Sequence, residues 1–217
     1  MTDYQTRRKI MVDTQIRPSD VTKFPIIEAF LSVPREKFVP DGKREAAYIG
    51  ENFKIGQSRV ILEPRTLAKL LDALDIRNDE LVLDIGPGLG YSSAVISPMA
   101  EVVIAVEDDS SMANEAEEIL TEVGADNVVI QIGKLEDGAP EHGPYDVIIL
   151  QGGVEKIPSS ILNQLKNGGR VGAIFVEEGL GTAKIGFKLN DKINWRYSFN
   201  AAAPVLPGFF KQKDFVL

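Results

Sequence analysis

Residues 84–91 read DIGPGLGY, and this glycine-rich turn decides the fold of the 217-residue chain. A short apolar run, LVLDI, leads into the turn, and a run of helical character begins near Tyr91. A strand that passes through a glycine turn into a helix is typical of parallel α/β sheets, in which ligands lie outside the carboxyl ends of the strands. Glycines at this place let a ligand approach backbone N–H groups closely. The turn therefore predicts a binding site for a small molecule.

Apolar and amphipathic runs alternate on both sides of the turn. The predicted strands are 81–85, 102–106, 128–132, 146–150 and 170–176, and the predicted helices open near Pro64, Tyr91, Ser110 and Pro158. This rhythm predicts an α/β fold with a mostly parallel sheet that is covered on both faces. Runs 184–189 and 193–202 flank the turn pair Asn190-Asp191, which predicts an antiparallel hairpin.

The chain is expected to form a single domain with three parts. Residues 1–60 contain several prolines and mixed helical segments, which favours an N-terminal helical cap on the sheet. Residues 61–180 form the predicted cofactor-binding core, and residues 181–217 contain the predicted C-terminal hairpin.

Composition excludes several function classes. With 24 basic and 32 acidic residues the formal net charge is -8, so a nucleic acid is not expected as a partner. The chain has no cysteine and one histidine, which argues against a metal centre or a thiol nucleophile. Because no run is long and apolar enough for a signal peptide or a membrane span, we expect no membrane partner and a cytoplasmic location.

Two acidic residues indicate which ligand the turn binds. Dinucleotide sites usually show G-x-G-x-x-G, whereas here the spacing is G-x-G-x-G with Tyr91 at the last position, which disfavours a nicotinamide-dependent oxidoreductase. Asp84 lies at the end of an apolar strand, where a carboxylate suits a ligand ammonium better than a diphosphate. Glu107 ends the next strand, where an acidic side chain accepts the hydroxyls of a ribose. S-adenosylmethionine has both an ammonium and a ribose.

Several motifs resemble those of one enzyme family. LDIGPGLGYSSAV, VVIAVE, PYDVIIL and QLKNGGRVGAIFV are similar to the motifs of class I S-adenosylmethionine-dependent methyltransferases. VPREKFVP, AAYIGENFKIGQ, EHGPYDVII, IPSSILNQLKNGGR and APVLPGFF resemble the protein-L-isoaspartate O-methyltransferase family. The resemblance implies a Rossmann-like, seven-stranded sheet and methyl transfer to an isoaspartyl carboxylate in damaged protein, with S-adenosylhomocysteine as product. The cofactor-binding residues that we predict are Asp84, Gly86, Pro87, Gly88, Gly90, Tyr91, Glu107, Asp108, Gly133, Lys134, Leu135 and Gln151.

The chain departs from the family mainly on the acceptor side. Leu62 stands where the family has a serine that faces the methyl-transfer centre, so a hydrogen-bonding side chain is replaced by an apolar one. Lys134 replaces an aspartate expected at the adenine, and Gln151 replaces a smaller residue. Arg59 and Arg65 flank Leu62 and are candidates, with Leu62, for the acceptor pocket.

A carboxylate acceptor is already ionised at neutral pH and needs no general base, so we assign no catalytic residue.

Three interpretations of the chain's function remain open. The leading interpretation is methyl transfer to an isoaspartyl carboxylate. The alternatives are a family member that uses another carboxylate or a different acceptor, and a catalytically silent module that binds the cofactor. The oligomeric state is not predicted.

Overall fold

The computed structural model describes residues 3–211, which form a central sheet, helices on its faces and an N-terminal cap. The helices are α1 (Tyr4–Met11), α2 (Phe24–Ser32), α3 (Pro64–Leu74), α4 (Tyr91–Ile96), α5 (Ser110–Glu122) and α6 (Ser159–Asn163). The strands are β1 (Phe53–Lys54), β2 (Val60–Ile61), β3 (Leu81–Ile85), β4 (Val102–Glu107), β5 (Val128–Ile132), β6 (Tyr145–Val154), β7 (Leu165–Glu177), β8 (Leu180–Leu189) and β9 (Lys192–Asn200).

The seven-stranded sheet has the order β5-β4-β3-β6-β7-β8-β9. Strands β3 to β7 pair in parallel, and β8 and β9 pair antiparallel at one edge. The parallel strands β3, β4 and β6 are almost wholly apolar and buried, as expected for strands that are covered by helices on both faces. The predicted α/β fold class, mostly parallel with an antiparallel C-terminal hairpin, is confirmed.

Strand lengths differ from the predicted ones around β6 and β7. Residues 146–150 were expected as a strand, but β6 runs from Tyr145 to Val154 and pairs with β7 as far as Val154↔Phe175. Helix α6 ends at Asn163, and the chain enters β7 at Leu165, so the expected helix from Pro158 is short. Strand pairing at both ends extends the sheet beyond the apolar runs.

The hairpin between β8 and β9 turns at the expected pair. Asn190 and Asp191 have φ of 49° and 61°, the left-handed conformation that two-residue hairpin turns require at both central positions. The β7–β8 connection turns in the same way at Glu178 and Gly179, with φ of 52° and 82°.

The cap shares its apolar core with the sheet. Met11, Phe30 and Phe38 are buried in one cluster that also contains Leu67 of α3 and Val82 of β3. Because one cluster joins the cap, α3 and the sheet, these parts stabilise one another by burying the same apolar surface. The division into cap, core and hairpin at residues 60 and 180 stays a prediction.

Within residues 3–211, none of the helices has the length and apolar character needed to cross a bilayer.

Candidate functional site

The glycine turn lies between β3 and α4, at the carboxyl ends of the parallel strands. Gly86, Gly88 and Gly90 have φ of 76°, 60° and 92°, a conformation that side-chain-bearing residues adopt at a cost. Strand β3 pairs with β4 on one side and β6 on the other, so the turn lies where the chain changes direction across the sheet. This is the usual ligand position of open α/β sheets.

Glu107, the last residue of β4, is fully buried beside the turn. Its Oε2 accepts a hydrogen bond of 2.8 Å from the Gly88 N–H and one from the Arg59 guanidinium, which forms an ion pair with it. Its Oε1 accepts from the N–H groups of Asp108 and Asp109 at 3.1 and 3.2 Å. Burial raises the pKa of Glu107 to about 7, although the Arg59 charge opposes this. The predicted ribose acceptor and the glycine turn are therefore in direct contact.

Asp84, at the end of β3, is also fully buried, and its partners lie inside the protein. Oδ2 accepts from the hydroxyls of Ser92 and Ser93 at 2.6 and 2.7 Å, and Oδ1 accepts from the Gln151 amide at 2.7 Å. Burial raises the pKa of Asp84, and these hydrogen bonds oppose the rise. The structure thus brings together Asp84 and Gln151, two of the predicted cofactor residues.

Arg59 lies over the glycine turn, and its side chain is 7% exposed. A Cβ atom added to Gly86 would lie 2.5 Å from Arg59 Nη1, and one added to Gly88 would meet the side chain of Ile55. The Arg59 Nε is buried and has no hydrogen-bond partner in the part of the chain that the structure describes. Sequence reasoning assigns Arg59 to the acceptor pocket; its guanidinium lies against Glu107, a predicted cofactor residue, and its role toward an acceptor stays a prediction.

The other two acceptor candidates, Leu62 and Arg65, have different surroundings from Arg59. The Leu62 side chain is buried, 1% exposed, in the apolar cluster under the cap. Arg65 is half-exposed, and its guanidinium carbon lies 5.6 Å from the centre of the Phe199 ring. Their roles toward an acceptor stay predictions.

The loop after β5, predicted to contact adenine, has mixed exposure. The Gly133 N–H donates to the Glu107 carbonyl at 3.0 Å, which holds the loop next to β4. Lys134 is exposed, and Leu135 is fully buried in a second apolar cluster. Asp108 is exposed just after β4. An adenine contact for these residues remains a prediction.

Tyr91 is buried between the site and the cap. Its ring makes edge contacts with Phe30 and Phe38, with centroids 6.3 and 5.6 Å apart, and the Arg35 guanidinium lies 4.5 Å from its centre. The Tyr91 hydroxyl is buried without a hydrogen-bond partner among residues 3–211, and burial raises its pKa. Pro87 is buried within the turn itself.

Sequence reasoning missed three residues that shape this region. Ser92 and Ser93 follow Tyr91 directly, and their place in the first turn after the glycines was a usable signal. Arg35 is fully buried, donates from Nε to the Ala47 carbonyl at 2.8 Å and from Nη2 to the Leu62 carbonyl at 3.0 Å. Burial lowers the pKa of Arg35. Within the VPREKFVP motif, nothing in the local pattern indicates these distant carbonyl partners.

The end of β6 is covered by residues 203–206. The Gly153 N–H donates to the Pro204 carbonyl at 2.8 Å, and the Leu206 N–H donates to the Gly153 carbonyl at 2.9 Å. Asn52 links this segment to the Leu62 region, because its amide donates to the Ala202 carbonyl at 2.6 Å and accepts from the Glu63 N–H at 2.9 Å. The C-terminal segment is therefore tied to the end of β6 and, through Asn52, to the backbone that follows Leu62.

Comparison with known proteins identifies what the chain resembles. The family model described as protein-L-isoaspartate(D-aspartate) O-methyltransferase (PCMT) matches residues 6–195. A protein-L-isoaspartate O-methyltransferase of Syntrophus aciditrophicus is 39% identical over 79% of this chain and 78% of its own. Protein-L-isoaspartate O-methyltransferase 1 of Syntrophobacter fumaroxidans is 32% identical over 79% of this chain and 80% of its own.

Solved structures agree with the fold. A protein-L-isoaspartate O-methyltransferase superposes with a TM-score of 0.80 at 25% identity, covering 95% of this chain and 66% of that one. A protein of the same putative type from Plasmodium falciparum, crystallised with S-adenosyl-L-homocysteine, gives a TM-score of 0.79 at 18% identity, covering 95% and 99%. The second likeness bears on the fold alone.

Proposed function

This chain belongs to the protein-L-isoaspartate(D-aspartate) O-methyltransferase family, and we propose that it transfers a methyl group from S-adenosylmethionine to the side-chain carboxylate of an L-isoaspartyl residue. The acceptor is then a protein or peptide that contains the damaged residue.

One observation carries this proposal: the Gly88 N–H holds the carboxylate of Glu107 at 2.8 Å. The contact joins the turn that receives the amino-acid part of the cofactor to the carboxylate that receives its ribose. The buried carboxylate and the glycines without side chains fit S-adenosylmethionine, which when bound supplies an electrophilic methyl group on a sulfonium. In this assignment Glu107 binds the ribose, and Asp84, with Gln151, gives the acidic surroundings that favour the positive charges of the cofactor.

The chain's own residues then have to orient the acceptor and exclude water. An isoaspartyl carboxylate is the nucleophile in its ordinary ionised form, so the site needs no general base. The buried segment around Leu62, held by Arg35 and Asn52, forms the apolar wall of the acceptor pocket in this proposal. Removal of water beside this wall would leave the carboxylate less solvated and more reactive.

A second candidate is a family member that methylates a different acceptor. It is favoured by Leu62, which brings no hydroxyl, and by Gln151, whose amide is committed to Asp84. The third reading, a silent module that binds the cofactor, predicts binding without turnover.

The test measures binding and methyl transfer separately. Isothermal titration with S-adenosylhomocysteine should give a saturable, one-to-one signal, and NAD should give none. Purified protein with labelled S-adenosylmethionine should then label an isoaspartyl peptide and not the same peptide with ordinary aspartate. Labelling of neither peptide, with binding intact, would favour another acceptor, and labelled protein from a cell extract would distinguish that acceptor from a silent module.

A further inference from the structure

We propose that Arg59 gates the methyl-donor site: its guanidinium holds the Glu107 carboxylate, so the cofactor binds only when Arg59 leaves Glu107. The proposal rests on the proposed function and adds to it a residue that sets donor affinity.

The hydrogen bonds at Glu107 show why Arg59 and a ribose compete. A carboxylate has about four acceptor positions. Oε1 takes the N–H groups of Asp108 and Asp109, and Oε2 takes the Gly88 N–H and Arg59. The three backbone donors belong to the glycine turn and to the short connection between β4 and α5, so they stay in place. A ribose hydroxyl can reach Glu107 only at the position that Arg59 holds.

The hairpin of β1 and β2 delivers Arg59 to this position. β1 pairs antiparallel with β2 through Phe53↔Ile61 and Lys54↔Val60, and the N–H groups of Ile55 and Gly56 donate to the Arg59 carbonyl at 3.1 and 3.2 Å. The tight turn fixes the backbone of Arg59 beside the glycine turn. The long side chain then extends inward over Gly86, where a Cβ would lie 2.5 Å from Nη1.

The Arg59 pairing is incomplete in a way that suits a movable gate. The side chain is buried, and its guanidinium hydrogen-bonds Glu107 through Nη2, while its Nε finds no partner within the described residues. A buried N–H without a partner costs free energy. Arg35 also has one such nitrogen, Nη1, but its Nε and Nη2 donate to two backbone carbonyls, which hold it in place. Ribose hydroxyls that replace Arg59 at Glu107 would release a buried guanidinium with an unsatisfied N–H into water.

The experiment compares S-adenosylhomocysteine affinity in matched variants by isothermal titration. Arg59→Gln should lower Kd about tenfold, equivalent to about 1.4 kcal/mol. Lys54→Gln removes one positive charge from an exposed position on the same hairpin and should leave Kd unchanged. Arg59→Met, which keeps an apolar stem over Gly86, is the second variant if Arg59→Gln does not fold.

A double-variant cycle separates competition from a general effect on the hairpin. Glu107→Gln should weaken binding, and adding Arg59→Gln to it should bring no gain, because the contested group is already gone. An equal gain from Arg59→Gln with and without Glu107 would overturn the gate. So would an Arg59→Gln or Arg59→Met protein that folds and binds no more tightly than the original chain. If no variant binds S-adenosylhomocysteine at all, the proposed function falls as well.

Discussion

Arg35 donates a 3.0 Å hydrogen bond from Nη2 to the backbone carbonyl of Leu62, which ties the cap to the segment that follows β2. The same guanidinium bonds the Ala47 carbonyl and covers the Tyr91 ring, so one buried cation joins three parts of the chain. Because both of its hydrogen bonds go to backbone carbonyls, Arg35 fixes the position of the Leu62 segment relative to the cap.

Replacing Arg35 should therefore destabilise the protein. Arg35→Ala removes two charge-assisted hydrogen bonds and a ring contact, and we expect a loss of about 3 kcal/mol in the free energy of unfolding, measured in urea. Arg35→Lys keeps the charge but not both hydrogen bonds, so its free energy of unfolding should lie between those of the original protein and Arg35→Ala. Arg44→Ala, a surface variant, should change stability by less than about 1 kcal/mol. An Arg35→Ala protein as stable as the original would show that Arg35 does not hold these three parts of the chain together.

Leu62→Ser tests both the packing and the acceptor hypothesis. A serine in the apolar cluster should lower the free energy of unfolding by about 2–4 kcal/mol, whereas Leu62→Ile should cost less than about 1.5 kcal/mol. Below its melting temperature, Leu62→Ser should methylate an isoaspartyl peptide faster than Leu62→Ile, because a hydroxyl can bond the acceptor oxygen. The assay measures the rate of methyl-ester formation per mole of folded protein. A rate for the original chain equal to that of a serine-containing relative would rule out a changed acceptor.

Asp84→Ala should affect stability as well as cofactor binding. The variant leaves the donors of Ser92, Ser93 and Gln151 without their shared acceptor, and we expect a loss of about 3 kcal/mol from such unsatisfied buried groups. Asp84→Asn keeps the shape and one carbonyl acceptor and should lose less. The measurement is thermal unfolding with and without S-adenosylhomocysteine. Retained affinity in folded Asp84→Ala would remove Asp84 from the cofactor site.

Cofactor affinity should depend on pH through Glu107. Its pKa in the folded protein is raised to about 7 from the ordinary 4.5, so the folded state binds this proton more tightly than the unfolded chain. Its contribution to stability is therefore complete below pH 4.5 and lost as the pH rises through 7. If Arg59 leaves Glu107 when the cofactor binds, neutral ribose hydroxyls replace a positive charge beside this carboxylate, and its pKa rises further in the complex. The Kd for S-adenosylhomocysteine should therefore rise as the pH rises past about 7.

Two variants serve as controls for this pH dependence. Glu107→Gln should give a flat profile across the same range, because it has no proton to lose. Arg59→Gln should move the transition to higher pH, since the Arg59 charge favours the carboxylate form. A profile that is identical in all three proteins would show that another group titrates.

The sequence pattern predicted the sheet better than it predicted the site. Strands β3, β4 and β5 are short apolar runs between turn signals, so local periodicity determines them. The glycine turn, Asp84 and Glu107 could be found for the same reason, because each stands at a strand end. The hydrogen-bond partners of these carboxylates could not be predicted in this way, since Arg59 and Glu107 are 48 residues apart in sequence and Asp84 and Gln151 are 67 residues apart.

Arg59 shows most clearly which side-chain contacts cannot be predicted from the sequence. Its place in the sequence near Leu62 predicts a role in the acceptor pocket, and the β1–β2 hairpin directs its side chain over Gly86 to Glu107, a contact that the spacing does not predict. The direction of one long side chain depends on backbone pairing and on which buried charge needs a counterion, and neither is readable from spacing.

The segment that covers Gly153, residues 203–206, is synthesised late. Residues 203–206 are translated after the glycine turn, the hairpin that carries Arg59, and β6, so all of these leave the ribosome first. The hydrogen bonds of residues 203–206 with Gly153 can form only after β7, β8 and β9, which separate the two partners in the chain, have been synthesised.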